Sequence, residues 1–253
     1  MCSPLELVVQ LAESHTVALQ DEGPSPHLQH FTGRQRNGTT RRKRRAPRGR
    51  EIRRYAASMS SDAPVGEVFL ETERLILRQF TADDVDLLFE LYNDPEVMHF
   101  INGGLPIPRQ EIEEEDLPAF LSYYERDDGY GFWAAIEKAS GRFIGWFHFR
   151  PGAGAGPREP ELGYRLHRFA WNQGYASEGS RALIDKGFAE FGVERVTAET
   201  MVVHEASRRV MENAGLRQIR TFHADWPVRI PGDEHGDVEY VLDRAEWEAR
   251  RRG

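Results

Sequence analysis

From Glu71 onward the chain alternates strand-like and helix-like segments, and the order of these segments is the strongest constraint on its fold. Strand-like segments alternate apolar and polar residues, whereas helix-like segments repeat apolar residues at three- and four-residue spacing. The order is strand, two helices, three strands, helix, strand, helix and two strands, followed by a short helix. This order predicts an α/β fold in which helices flank a mixed sheet of about seven strands.

Local signals mark the first two predicted helices. The segment "TADDVDLLFELYNDP" starts at Thr81, which has capping-box spacing with Asp84, and it ends just before Pro95. The second helical region covers residues 108–125 approximately. Pro118 lies inside that region and has no backbone N–H to donate, so it predicts a kink or a restart of the helix.

A break in composition near Met59 separates two parts of the chain. Residues 1–58 carry 11 Lys or Arg and 5 Asp or Glu, whereas residues 59–253 carry 22 and 36, respectively. The first part has few aliphatic residues and many like charges, so it cannot bury enough apolar surface to offset the entropy of ordering. We therefore predict a disordered basic tail over residues 1–66 and one folded domain over residues 67–253. The same break in composition favours a further interpretation, in which translation starts at Met59 and residues 1–58 are not part of the native product.

Cysteine content and hydropathy exclude several classes of protein. Cys2 is the only cysteine, which excludes an intrachain disulfide and a cysteine-based zinc site. Such sparse cysteine is compatible with a reducing cytoplasm. No apolar run reaches the roughly 20 residues that a membrane-spanning helix needs. We expect a soluble cytoplasmic protein, either a monomer or a homodimer.

The stretch "WNQGYASEG", residues 171–179, lies between a predicted strand and a predicted helix. Gly174 permits a positive φ and a close approach of the backbone to a ligand. Unpaired amides at a helix N-terminus attract anions such as pyrophosphate. The stretch lacks the Gly-Lys-Ser/Thr ending of a P-loop and the three glycines of a dinucleotide fingerprint. These residues alone leave two interpretations open, an ordinary strand-to-helix turn or a phosphate site.

Three segments, in order, resemble the GNAT acetyltransferases, specifically the branch of ribosomal-protein N-terminal acetyltransferases and their relatives. "ETERLILRQFTADDVDLLFELYNDPEVMHFI" is similar to the opening of that branch, "WNQGYASEGSRALIDKGF" to its acetyl-CoA loop and helix, and "ASRRVMENAGL" to a later signature. The resemblance runs from about Leu70 to Trp247. It implies the GNAT fold, with acetyl-CoA as co-substrate.

The resemblance also implies how the cofactor binds. The pyrophosphate would lie on the amides of residues 172–177, and the pantetheine arm would run along Tyr164 to Leu166. Asn172 stands where a glycine is usual, and His204 stands where the family usually has an asparagine that contacts pantetheine. The implied cofactor-binding residues are Tyr164, Leu166, Trp171, Asn172, Gln173, Gly174, Tyr175, Ala176, Ser177, His204 and Ser207.

Acetyl transfer to an amine needs a group that takes the amine proton and a group that supports the leaving thiolate. The resemblance implies Glu161 near the acetyl group and Ser207 near the sulfur, so both are predicted as catalytic. Trp146, Tyr164 and Asp225 are predicted to line the acceptor site. The ordinary alternatives are a solvated strand-end carboxylate for Glu161, a helix-capping role for Ser207 and core packing for the aromatic residues.

The segment "FHADWPVRIPGDEHGD", residues 222–237, is a long polar loop, and such loops in compact domains are often functional. Its histidines and aspartates have no recognised metal-ligand spacing, so no metal is predicted and the loop is interpreted as a lip of the acceptor site.

The predicted activity is direct transfer of acetyl to a primary amine, either a protein N-terminus or a small-molecule amine. Two alternatives come from other classes. One is an acyl-CoA-binding module without transferase activity. The other is a nucleic-acid-associated protein that acts through residues 34–54, since arginines neutralise phosphates without sequence preference.

We predict that residues 1–58 are dispensable for folding and for cofactor binding, because they contain no apolar core. A chain truncated to begin at Met59 should melt within a few degrees of the full chain and should bind acetyl-CoA equally well. Thermal unfolding and calorimetry measure these two properties. Loss of soluble protein on truncation would show instead that the tail packs against the domain.

Overall fold

The computed structural model describes residues 66–126, 128–152, 154–224, 226 and 229–252. Residues 1–65 of the predicted tail, the alternative start at Met59 and the predicted acceptor residue Asp225 lie outside the described residues. The described ranges form eight strands: β1 (Val68–Glu71), β2 (Leu75–Arg78), β3 (Gly131–Glu137), β4 (Phe143–Pro151), β5 (Pro160–Leu166), β6 (Arg195–Met201), β7 (Arg217–Phe222) and β8 (Asp237–Asp243).

Seven α-helical segments accompany the strands within the same described ranges. They are α1 (Val85–Tyr92), α2 (His99–Asn102), α3 (Arg109–Glu111), α4 (Leu117–Tyr124), α5 (Tyr175–Glu190), α6 (Glu205–Asn213) and α7 (Arg244–Arg252). A π-helical turn, Ile112–Asp116, joins α3 to α4, and 3₁₀ turns lie at Ala82–Asp84, Arg168–Ala170 and Asp233–His235. None of the helices in these ranges has the length and apolar character needed to cross a bilayer.

The strands form one mixed sheet in the order β1-β2-β3-β4-β5-β6-β8-β7. All neighbouring pairs are antiparallel except β5 and β6, which are parallel. The predicted mixed sheet with flanking helices is confirmed, with one strand more than the pattern indicated. The additional strand is β1, which pairs with β2 so that Leu70 lies opposite Leu77. Its four residues are too few for periodicity to distinguish a strand from a loop.

The local signals at the first helices are also confirmed. Thr81 and Asp84 form a capping box immediately before α1. The helical region predicted around residues 108–125 is interrupted by the π-helical turn, and it restarts as α4 with Pro118 in its first turn. Since a proline has no backbone N–H, this is the part of a helix that tolerates it best.

Two apolar cores cover the two faces of the sheet. On the first, here called the α5 face, α5 and α6 pack over aromatic residues of β3 and β4 such as Trp133 and Phe147. On the second, here called the α1 face, α1 and α4 pack over Phe132 and Trp146. The helix α5 lies close to the sheet because Gly179 has no side chain, and a Cβ atom there would lie 2.4 Å from the Phe147 ring.

The pairing of β5 with β6 opens a gap in the sheet. The β4–β5 ladder has seven register pairs, whereas the β5–β6 ladder has one, Glu161 opposite Thr197. Beyond that pair, the edge of β5 from Leu162 to Leu166 has no strand partner on the β6 side among the described residues. Unpaired backbone N–H and C=O groups of a strand edge can accept an extended ligand as an additional strand. The gap therefore positions the candidate site.

Candidate active site

The N-terminus of α5 follows an exposed loop, residues 171–174, and no side chain caps it. The first hydrogen bond of the helix runs from the N–H of Glu178 to the carbonyl of Gly174, at 3.0 Å. Within the described ranges, the backbone amides of residues 172–177 donate to no backbone carbonyl. These amides and the helix dipole make the N-terminus of α5 suitable for an anion such as a pyrophosphate.

Two residues of this loop adopt left-handed backbone conformations. Gly174 has φ 80°, and Asn172 has φ 57°, the only positive φ of a non-glycine residue in the described ranges. Asparagine is one of the few residues that tolerate this conformation. Asn172, which replaces the usual glycine, therefore keeps the backbone shape that a glycine would give.

Glu178 and Arg74 hold the loop against the β1–β2 turn. The Glu178 carboxylate accepts hydrogen bonds from the Thr72 hydroxyl at 2.6 Å, from the Arg74 backbone N–H at 2.9 Å and from the Arg74 Nε at 2.6 Å. Arg74 Nη1 also donates to the Gln173 carbonyl at 2.9 Å. No local pattern in the sequence points to Arg74, because its partner lies 104 residues away along the chain.

The structure brings the predicted loop residues together at one helix end. Trp171 Nε1 donates to the carbonyl of Leu166 at 2.7 Å and so ties the loop to the end of β5. The buried Tyr175 donates its hydroxyl hydrogen to Glu137, and it lies against the guanidinium of Arg74. The predicted residues at this end are Trp171, Asn172, Gln173, Gly174, Tyr175, Ala176 and Ser177.

Tyr164 extends from β5 to the first turn of α6 on the α5 face. Its hydroxyl donates to the Ser207 carbonyl at 3.0 Å, and it also lies 3.0 Å from Ser207 Oγ. Ser207 is buried and does not cap α6. Burial raises the pKa of Tyr164, so its hydroxyl stays protonated at neutral pH and can act as a hydrogen-bond donor.

Glu161 lies on the opposite, α1 face of the sheet, at the last register pair before the gap. Its Oε2 is 3.5 Å from Arg150 Nη2, and its Oε1 is 3.8 Å from His148 Nε2. Burial raises the pKa of Glu161, and the positive charge of Arg150 opposes this shift. Burial also lowers the pKa of His148 well below its ordinary value, so the imidazole beside Glu161 is neutral.

Glu199 on β6 is a titratable group that the sequence analysis missed. Thr197 lies opposite Glu161, and Glu199 follows two residues later on the same face. Burial, together with the negative charge of Glu161, raises the pKa of Glu199 to about 7. A carboxylate that titrates near neutral pH is suited to general-base catalysis. The alternation in "RVTAETMVV" gives the face of Glu199 relative to its own strand, but it does not identify the neighbouring strand.

Strand β8 adds two carboxylates beside Glu199. Glu239 lies directly opposite Glu199, and Asp237 lies opposite Met201. Asp237 is buried and accepts a hydrogen bond from Trp226 Nε1 at 3.0 Å. Trp226 belongs to the long polar loop predicted to form a lip of the acceptor site. Glu239 is paired with Arg220. Glu199 and Asp237 are therefore the carboxylates here that can attract a cationic amine.

His204 and Trp146 have environments that differ from those expected. His204 occupies the N-cap position of α6 without a side-chain capping hydrogen bond among the described residues, and it stacks on Phe100 of α2, with ring centroids 4.2 Å apart. Burial lowers the pKa of His204 to about 4, so the stacked ring is neutral. Trp146 is buried in the core of the α1 face, where its ring packs edge-to-face against Phe120 and Phe132. The cofactor contact of His204 and the acceptor contact of Trp146 stay predictions.

The chain is similar to acetyltransferases in both sequence and structure. Residues 74–217 match the model of the acetyltransferase (GNAT) domain. An FsC-acetyl coenzyme A-N(2)-transacetylase of Aspergillus fumigatus is 33% identical over 184 residues, which are 70% of this chain and 77% of that protein.

Two solved structures share the fold at low sequence identity. The ribosomal alpha-N-protein acetyltransferase RimL in complex with coenzyme A has a TM-score of 0.58 and 18% identity, over 70% of this chain and 98% of that one. An aminoglycoside acetyltransferase in complex with coenzyme A and kanamycin has a TM-score of 0.56 and 19% identity, over 70% of this chain and 99% of that one.

Proposed function

Because the chain belongs to the GNAT family of acetyltransferases, we propose that it transfers the acetyl group of acetyl-CoA directly to a primary amine in a ternary complex. The observation that carries this proposal is the gap between β5 and β6. At one end of the gap lie the free amides of α5, and at the other lie Glu161 and Glu199. The amides at one end of the gap are therefore complementary to an anionic, extended co-substrate, and the carboxylates at the other end are complementary to a cationic acceptor.

The residues that would hold acetyl-CoA fit its chemistry. The backbone amides of residues 172–177 would bind the pyrophosphate, with Gly174 and Asn172 providing the backbone shape. The unpaired edge of β5 from Tyr164 to Leu166 would pair with the amides of the pantetheine arm. Acetyl-CoA supplies a thioester whose carbonyl carbon is attacked by the amine and whose thiolate leaves.

Two groups of this chain would move the protons of the reaction. Glu199, with its pKa near neutral, would accept the proton that the amine loses as the new C–N bond forms. The Tyr164 hydroxyl, held protonated by burial and positioned by Ser207, would donate to the thiolate as the C–S bond breaks. Glu161 remains the second candidate for the base, and its negative charge contributes to the raised pKa of Glu199.

Tyr164→Phe should lower kcat more than Ser207→Ala does. The first variant removes the proton donor, and loss of a general acid costs roughly 10²-fold. The second removes only one of the two contacts that orient Tyr164, because the Ser207 carbonyl remains. Steady-state kinetics at saturating acetyl-CoA measure both effects. Wild-type kcat in both variants would show that these hydroxyls are structural.

The acceptor is to be identified by a screen of amines, with release of free CoA thiol as the readout. The panel should contain peptides with free N-termini, small amines and aminoglycosides. The name of the Aspergillus relative includes N(2), which supports nitrogen as the acceptor atom. Gly174→Val is the control that should not bind CoA. Tight acetyl-CoA binding without turnover of any amine would favour the alternative of an acyl-CoA-binding module.

A further inference from the structure

We propose that Arg165 and His148 form a carboxylate-binding subsite on the acceptor side, so that the acceptor carries a carboxylate in addition to its amine. This inference rests on the proposed acetyltransferase function and specifies the class of its substrate. Both side chains lie on the α1 face, next to the strip of β5 that carries Glu161.

Arg165 has an almost completely buried guanidinium in which one nitrogen, Nη1, lacks a hydrogen-bond partner among the described residues. The relative exposure of Arg165 is 6%. The guanidinium lies over two aromatic rings, 4.6 Å from the centre of the Tyr92 ring and 5.1 Å from that of Trp146. Burial lowers the pKa of Arg165, whereas nearby Tyr92 and Asp116 oppose the shift.

The unsatisfied Nη1 of buried Arg165 would be stabilised by a hydrogen-bond acceptor. Buried donors are almost always hydrogen-bonded, and a buried cation without a hydrogen-bonded partner is costly. Stacking on Tyr92 and Trp146 compensates part of the charge but leaves Nη1 without an acceptor in the described part of the chain. A carboxylate matches the planar fork of the guanidinium with two parallel hydrogen bonds.

His148 provides a second polar group without a hydrogen bond in the described ranges. It lies opposite Gly163 and therefore between Glu161 and Arg165. It is 5% exposed, and neither ring nitrogen has a hydrogen-bond partner among the described residues. Its ring stacks on Trp146, with centroids 5.9 Å apart, so His148 and Arg165 lie against the same indole. A neutral imidazole offers one N–H donor, which could bind a carboxylate oxygen beside the guanidinium.

The geometry of β5 relates this subsite to the amine site. Glu161, Gly163 and Arg165 share one face, because alternate residues of a strand point to the same side. Gly163 leaves room for the imidazole, since a Cβ atom there would lie 2.5 Å from the His148 ring. Four residues of strand span about 13 Å. The strip therefore presents the Glu161 carboxylate, with Glu199 of the neighbouring β6, at one end and the Arg165 guanidinium at the other, which matches an acceptor with an amine and a carboxylate.

The test compares matched acceptors that differ only in the anionic group. Omega-amino acids of increasing chain length and dipeptides are each supplied as the free acid and as the C-terminal amide, and kcat/KM is measured by CoA thiol release. The wild-type protein should prefer the free acid by about tenfold or more, the scale of a lost charge-assisted hydrogen bond. Arg165→Met should remove this preference while leaving the KM for acetyl-CoA and the rate with the amide unchanged.

The control is Arg142→Met, because Arg142 also lies against an aromatic ring, that of Phe169, but is exposed. It should keep the wild-type preference. Equal rates for acids and amides in the wild-type protein would overturn the inference, as would a preference that survives in Arg165→Met. Failure of every amine in the panel would instead contradict the proposed function. Because the wild-type comparison alone is decisive, poor folding of Arg165→Met would not remove the test.

Discussion

Gly174→Val should abolish CoA binding while the protein remains folded. Gly174 has φ 80°, a conformation that a β-branched residue does not adopt without strain. The new side chain would also project from the loop that is proposed to hold the pyrophosphate. Its Cβ atom would lie 3.4 Å from Arg74 Nη2. Loss of two charge-assisted hydrogen bonds weakens binding by roughly 100-fold or more. Isothermal calorimetry with CoA measures this loss.

A matched control separates backbone strain from loss of the cofactor site. Gly192 also has a positive φ, 66°, and a Cβ atom there would meet no atom within 4 Å. Gly192→Val should therefore cost comparable stability in thermal unfolding but should bind CoA like the wild-type protein. Unchanged CoA affinity in Gly174→Val would mean that the pyrophosphate binds elsewhere.

Glu199→Gln should lower kcat by roughly 10²-fold or more, the usual contribution of a general base. A base acts when it is deprotonated, so the wild-type rate should rise with pH through a pKa of about 7, the value to which burial raises Glu199. In Glu199→Gln this limb of the pH profile should disappear. Acetyl-CoA affinity should be unchanged, because glutamine preserves the shape of the side chain.

Two further variants test the assignment of the base. In Glu161→Gln the limb should persist but move to lower pH, because removal of the neighbouring negative charge lowers the pKa of Glu199. Glu239→Gln, a substitution directly opposite Glu199 in the β6–β8 ladder, should retain kcat and the limb. The limb should also move to lower pH in this variant, because the charge of Glu239 raises the pKa of Glu199 as well. Loss of the limb in Glu161→Gln together with a wild-type profile in Glu199→Gln would assign the base to Glu161, as the sequence resemblance implied.

The elements whose signals are local were predictable from the sequence. The capping box at Thr81 and Asp84 and the restart at Pro118 depend on residues within one helical turn, and both are present. The helix start at Gly174 follows from the conformational freedom of glycine, so the sequence identifies this loop as a candidate anion site. The strand β1 was missed because four residues carry too little periodicity.

The residues of the candidate site also fall into two groups, those that a local sequence pattern identifies and those that it does not. The loop residues 171–177 are contiguous, so a sequence pattern can find them together. The proposed base Glu199, the bracing pair of Arg74 with Glu178 and the buried Arg165 could not be found in that way. The sequence shows on which side of its own strand or helix each residue lies.

Strand order and register decide which residues from different strands come together in the candidate site. Glu161 and Glu199 interact only because β5 and β6, separated in the chain by a helix, are neighbours in the sheet with Glu161 opposite Thr197. Their pKa values depend on burial and on that proximity, which are properties of the packed sheet. The sequence by itself determined the types and order of the main elements except β1, and it determined the position of the loop 171–177, because those depend on near neighbours in the chain. The tertiary structure decided which charges meet and which lose their water, because those depend on residues that only folding brings together.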